Sequence, residues 1–328
     1  MRTQVVSDTR EARTIRPGFR ILRLLILFLV ASPLMPANPA AAYELDPYYG
    51  RLTPLSDAAP VLNREMNRAI AEAAQACAET RNESCVIDGV FDRVGGYHWV
   101  DRLESWAWHS PEVQRVETPR EESIYFGIPF WASRNSFLFK VGPIINIGGV
   151  RIGTDKIGHF LSQGRKFNRR WRDARDEAHA ADWSAITERG IFGQMTTGDY
   201  SNADLVANYE GHRFYRELFE DDIVPGRKAI LRRTRSGWVI QREFDWIHHV
   251  NAYWDEAINT SYYDVLLRPW IEPHLLAYCD DYRSAPGQYR IDSDTEQRLQ
   301  ERYAFLHLRE VGAFRLSRLC GGHEDSGG

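Results

Sequence analysis

The sequence contains neither a G-x-S-x-G elbow nor a G-x4-G-K-[ST] loop. The first absence removes the usual serine-hydrolase arrangement, in which a strained turn exposes the nucleophile. The second removes the backbone cradle for phosphates, since GGVRIGTDK lacks its spacing. No C-x2-C pair occurs, so the cysteines do not read as a zinc knuckle. Acidic residues outnumber basic ones, 45 against 41, and a net acidic chain lacks the positive field on which nucleic-acid binding rests. After the N-terminal stretch, no segment is apolar enough to cross a bilayer.

What is present begins with that stretch. Arg2, Arg10, Arg13, Arg16, Arg20 and Arg23 precede or open the apolar run ILRLLILFLVASPLM, and ANPAAA follows it. This order predicts a secretory signal peptide over 1–42, with Ala40-Ala41-Ala42 as the cleavage motif. The apolar run is short of the ~20 residues a spanning helix needs, and an uncleaved anchor remains the alternative. No cysteine stands near the cleavage motif to carry a lipid, and Sec-type export to the periplasm is expected. Removing 1–42 leaves 286 residues with 35 basic and 43 acidic side chains, a net charge of −8.

All four cysteines lie in the exported part. An even number in an oxidising compartment favours disulfides. Of three possible pairings, Cys77–Cys85 closes the polar loop AETRNES and Cys279–Cys320 ties the C-terminal segment to the body.

Periodicity predicts a mainly α, single-domain protein over 43–320 with two small β-hairpins and a disordered tail at 321–328. Ser56 or Asp57 caps DAAPVLNREMNRAIAEAAQAC, whose Val61, Leu62, Met66, Ile70 and Ala73 share a face. A short helix near 99–108 groups Trp99, Leu103 and Trp106. Residues 124–153, rich in β-branched and aromatic side chains, read as short strands with a hairpin near Val141-Gly142-Pro143. A second hairpin turns at Arg235-Ser236-Gly237. Further helices are expected at 154–172, 181–189, 202–219, 244–259, 262–278 in pieces, and 293–310, the last with Ser293 and Glu296 as a capping box and Leu299, Tyr303 and Leu306 inward.

Three of these helices carry a polar stripe beside an apolar one. Asp155 and His159 stand four apart, with Ser162 three further on. Asp204, Asn208 and His212 repeat at four. His248, Asn251, Asp255 and Asn259 follow a similar spacing next to Ile247, Val250, Trp254 and Ile258. Buried carboxylates and imidazoles need partners, and such stripes satisfy one another by converging. Carboxylates and imidazoles around one point suit a divalent ion, zinc above all. The expected ligands are Asp155, His159, Asp204, His212 and His248, with Asp255 or Glu256 as general base on a metal-bound water. Structural roles compete. Thr154 as N-cap would put Asp155 where the helix dipole favours an acid, and Ser201-x-x-Asp204 is itself a capping box. His159 would be a packed histidine and His212 a solvated one. Asp255 and Glu256 resist such an account, lying late in their predicted helix with no Arg or Lys at i±3 or i±4. Gly158 and Gly211 interrupt helical runs, which close helix approach would explain.

The string DKIGHF is similar to the D-K-x-x-H-F signature of VanZ-like membrane proteins and of a group of small bacterial envelope lipoproteins. With YSNADLVANYEG and W-D-E-x-x-N it resembles a family of uncharacterised exported bacterial proteins, over roughly residues 55–275. The resemblance implies an envelope location and no particular activity. HHVNAYWDE is similar to the His-x3-Asp pair of the helical zinc phospholipase C and P1-type nuclease group. Here His248 and His249 stand seven and six residues from Asp255, so that ligand pair does not transfer.

Two functions are therefore expected. One is metal-assisted hydrolysis of an envelope component. The other is a non-catalytic envelope factor that binds lipid or a membrane protein through the aromatic segment 124–153.

Overall fold

The computed structural model describes residues 44–321 apart from 81, 97–99, 134–140 and 191–193. The expected signal peptide, Trp99 and the tail from 322 onward lie outside the described residues. The rest is mainly α, as the periodicity predicts.

Strand β1 (Glu44–Leu45) leads to helix α1 (Ala59–Ala76). Asp57 starts that helix: its Oδ1 accepts from Ala59 N at 2.9 Å and from Gly148 N at 2.9 Å, tying the helix end to a distant turn. Leu62, Met66, Ala69, Ile70 and Ala73 form its buried face. Helix α2 (Glu83–Val94), capped by Asn82, lies against it, and Cys77–Cys85 bridges the loop between them. Helix α3 (Arg102–His109) follows.

Strands β2 (Val141–Gly142), β3 (Ile144–Ile147) and β4 (Val150–Gly153) come next. The β3–β4 hairpin turns at Gly148-Gly149, with φ of +59° and +88°, and not at Val141-Gly142-Pro143. A two-residue turn that matches the strand twist needs positive φ at both positions, which the glycine pair supplies. Val141–Gly142 instead pairs in parallel with β1. Residues 124–133 form turns, so the strands expected there start only at 141 among the described residues.

The expected helix 154–172 exists with an internal irregularity. It runs as α4 (Asp155–Gly158), a π-helical turn (His159–Gln163) and α5 (Gly164–Ala174). Helix α6 (Glu177–Arg189) is capped by Asp176. After α7 (Gln194–Thr197) and β5 (Asp199–Tyr200) comes α8 (Asn202–Glu217), the central helix. Gly164 and Gly211 meet where α5 crosses α8. A Cβ on Gly164 would lie 2.6 Å from Gly211 Cα, and one on Gly211 would overlap the Phe160 carbonyl oxygen. The backbones can touch only because both residues lack a side chain. Gly158 has another reason: it faces the Glu104 carboxylate.

The second hairpin, β6 (Leu231–Thr234) with β7 (Gly237–Ile240), turns where expected. The helix expected at 244–259 does not form. Two 3-10 turns, Trp246–His248 and Ala252–Trp254, take its place. Asp245 Oδ1 accepts from Ile247 N, Asn251 Oδ1 from Tyr253 N and Asp255 Oδ1 from Ala257 N, so side chains satisfy amides that a helix would have bonded. Strand β8 (Tyr262–Tyr263) pairs with β5, so the described residues hold the two expected hairpins and two further short strand pairs, β1–β2 and β5–β8.

Helices α9 (Arg268–Ala277), α10 (Cys279–Ser284), α11 (Ser293–Tyr303) and α12 (Leu316–Cys320) complete the described chain. Asp292, not Ser293, caps α11, while Leu299, Tyr303 and Leu306 are buried as expected. Cys279–Cys320 closes the smaller of the two main apolar clusters. The larger packs Phe160, Phe214, Phe244, Trp246 and Trp254 under α8. No helix of the described residues is long and apolar enough to cross a membrane. The two disulfides fit an oxidising compartment.

Candidate metal centre

Helix α4, the π-helical turn that continues it and α8 bring Asp155, His159 and Asp204 together. One ligand atom from each lies within 4.8 Å of the other two. His159 Nε2 stands 3.0 Å from Asp204 Oδ2. His159 Nδ1 stands 3.0 Å from Asn208 Oδ1, and Asn208 Nδ2 donates to Ser184 Oγ at 3.0 Å. The amide oxygen therefore takes the proton of Nδ1, which turns Nε2 toward Asp204 and fixes the ring. Tetrahedral zinc sets its ligands about 3.3 Å apart, close to the 3.0 Å between His159 Nε2 and Asp204 Oδ2.

Asp204 does not close its own helix. The amide of Ser201 donates to Glu188 Oε1 at 3.0 Å, the place a capping-box acid would take, while Ser201 Oγ caps Asp204 N at 3.2 Å. The Asp204 carboxylate is thereby left for the centre. Thr154 does not cap α4 either: its hydroxyl is buried without a hydrogen-bond partner.

A lysine that the polar stripes did not single out sits among these acids. Lys156 Nζ lies 2.8 Å from Asp155 Oδ2, 2.5 Å from Asp204 Oδ1 and 2.7 Å from Glu256 Oε1, with its side chain 1% exposed. Only the Asp155 contact has hydrogen-bond geometry, and Asp155 Oδ1 and Asp204 Oδ1 remain without hydrogen-bond partners. Burial works against the ammonium, and the three carboxylates overcome it, holding Lys156 charged well above its ordinary range. Burial likewise opposes a charged His159, yet the Asp204 carboxylate raises its pKa. Asp204 is lowered: burial pushes it up, but His159 and Lys156 prevail.

Around this core the acids exceed the cations. Burial, then the charges of Asp155 and Asp101, holds Glu104 well above the carboxylate range. Asp101 is pushed up to about 7 by burial although Ser162 Oγ donates to both its oxygens at 2.7 Å. Asp199 rises to about 8 through burial and the charge of Glu256, while Tyr125 OH donates to it at 2.8 Å. Glu188 is also raised well above its usual value, by burial and Asp204. Such a cluster either keeps protons or takes up a cation in their place.

The other expected site residues lie elsewhere. His212 is buried, not solvated: it stacks on Phe167 at 5.0 Å, and Asn168 Nδ2 approaches its Nδ1 at 3.3 Å. Its Nε2 is 3.5 Å from Glu177 Oε1, so it belongs to a separate contact. His248 is half-exposed on its 3-10 turn; burial, then the charge of Arg227, lowers its pKa. Asp255 has the basic partner that helical spacing could not supply. Arg51 donates to its two oxygens at 3.0 and 2.6 Å from 204 residues away. Both oxygens are thus engaged, and Asp255 is a structural anchor and not a base. Glu256 points the other way, to Lys156 and to Ser201 Oγ at 2.6 Å. Asn251 bonds Tyr303 OH at 2.8 Å and Asn259 bonds the Tyr253 carbonyl at 2.9 Å, both holding the irregular segment together.

Lys156 was legible in principle, because it shares the buried stripe of Ile157 and Phe160 at helical spacing. Glu188, Glu104 and Asp101 had no sequence signal beyond ordinary helix-end acids. The chain matches no protein-family model, no curated protein and no solved structure, so the geometry alone carries the reading.

Proposed function

We propose that this is an exported periplasmic protein that binds one divalent metal ion, zinc by preference, at Asp155, His159 and Asp204. We further propose that it uses the ion to hydrolyse a component of the cell envelope. The convergence of those three side chains, with Asn208 orienting the imidazole, is the observation that supports it. The similarity of DKIGHF to envelope families and the two disulfides support the location. Asp155, His159 through Nε2 and Asp204 would hold the ion, which would supply Lewis-acid activation of a water; the His159 side chain is 24% exposed there. Glu256, whose Oε1 lies 2.7 Å from Lys156 Nζ, would be the carboxylate to accept the proton.

Metal analysis of the purified mature protein tests the reading. Stoichiometric uptake from a zinc, manganese and magnesium panel is expected, with proton release and a raised melting temperature. Occupancy below about a tenth of an equivalent for every ion, with melting unchanged by chelation, would sink it.

A second reading has its own observation. Phe126, Phe130, Trp131, Val265 and Leu266 are exposed, and Trp131 meets Trp270 edge-on at 6.4 Å. Exposed aromatic and aliphatic side chains in this number mark a surface that covers something apolar. We infer contact with a bilayer surface, where tryptophan is favoured. Flotation with phosphatidylcholine vesicles should carry the protein upward, and Trp131→Ser should weaken that; absence from the vesicle fraction counts against it.

A further inference from the structure

A cavity of about 460 Å³ opens between the segment after β1, the β3–β4 hairpin and the turn that follows α10. Its lining includes two arginines, Arg51 and Arg151, and no carboxylate. In a chain whose acids outnumber its bases, such a lining selects for negative charge.

The two guanidiniums differ. Arg51 is spent: its five N–H groups go to Asp255, Pro47 O and Gln288 O. The Asp255 carboxylate neutralises it. Arg151 has no carboxylate partner. One N–H of Nη1 reaches Thr53 O at 2.8 Å and one of Nη2 reaches Gly50 O at 3.1 Å. Those carbonyls hold the side chain in place and leave its charge intact. Its Nε is buried without a hydrogen-bond partner. Across the cavity Leu52, Pro54 and Leu55 give an apolar wall.

We propose that this cavity binds a small oxyanion, a phosphate group carried on a short apolar body, with Arg151 as the charged anchor. Thr53 O and Gly50 O take one N–H from each Nη, so the guanidinium keeps a second N–H on each for the oxygens of one phosphate. The apolar wall accepts the ester chains. Arg51 and Asp255 supply a rigid floor. This site is separate from the metal centre and does not depend on it.

Titration calorimetry on the mature protein in divalent-free buffer tests the proposal with three probes: inorganic phosphate, dibutyl phosphate and neutral tributyl phosphate. Saturable binding of dibutyl phosphate is expected, with none of the triester. Inorganic phosphate binding as tightly as the diester would assign free phosphate as the ligand and keep the site. Arg151→Met should weaken the anion at least about tenfold, which is about 1.4 kcal/mol. Asn146→Asp, which adds a carboxylate to the same lining, should do so while leaving Arg151 in place. Failure of both anions to bind, equal binding of the triester, or unchanged affinity in both variants would overturn it.

Discussion

Two buried charge centres lie along α8, one at each end, and they are built in opposite ways. At its N-terminal end, Asp155, Asp204 and Glu256 share Lys156, with His159 on Asp204 alone and further raised acids around them. Toward its C-terminal end, Glu210 and Glu217 face four cations. His249 bridges them, 3.2 Å from Glu210 and 2.6 Å from Glu217; Arg213 and Arg302 pair with Glu210, and Arg242 with Glu217. Tyr303 OH adds a hydrogen bond to Glu210 at 2.7 Å. The second centre is saturated with protein partners, and nothing further is needed there. The first sets three carboxylates against Lys156 and His159 and leaves Asp155 Oδ1 without a hydrogen-bond partner. A cluster whose carboxylates are all paired specifies packing; one with more carboxylates than cations leaves room for a cation.

His249→Gln should cost about 3–5 kcal/mol of stability in denaturant unfolding, because it removes the shared partner of two buried carboxylates. Metal uptake should be unchanged. A pH series sharpens this. Burial works against the charged imidazole, but Glu210 and Glu217 raise its pKa to about 9, above the unfolded value. Its stabilisation is therefore complete below the unfolded pKa of about 6.5 and disappears as pH rises through about 9. The wild-type melting temperature should fall over that window, and His249→Gln should lack this component of the fall.

Gly211→Ala should harm both centres together. The new Cβ meets the Phe160 carbonyl, forcing α5 from α8 at a cost of about 3 kcal/mol. Loss of metal binding without loss of stability would show that the helix crossing does not hold the site.

Asp204→Asn should act on one centre alone. Zinc affinity, read by competition with a chromophoric chelator, is expected to drop at least about 100-fold, or about 2.7 kcal/mol. An Asp204→Asn protein that binds zinc as tightly as wild type contradicts the proposed ligand set. The smallest effect belongs to Asn208→Leu, which removes the group that orients His159 and should weaken zinc by about 10–100-fold.

How much of this was visible in the amino-acid string depends on whether the cause was local. Helix α1 with its apolar face, the 202–217 helix, the second hairpin and the Cys77–Cys85 pair follow from periodicity, capping and short spacing, and Cys279–Cys320 is then the pair left over. The i and i+4 placement of Asp155 and His159 needs only one turn of helix, so the sequence sufficed to put them on one face. The 244–259 segment has an equally good helical pattern and is not a helix. Three Asx-type bonds, from Asp245, Asn251 and Asp255, outcompete it once Arg51 and Tyr303 anchor the chain from far away.

The site divides in the same way. Sequence alone determined which residues are acids, amides and imidazoles and which neighbours along a helix share a face. Long-range packing decided that Asp204 meets His159, which acids surround Lys156, and that Asp255 turns from its neighbour Glu256 to pair with Arg51. These choices are made by helix crossing at Gly164 and Gly211 and by the search of buried charges for partners. Both act between atoms distant in the chain, where no local pattern records them.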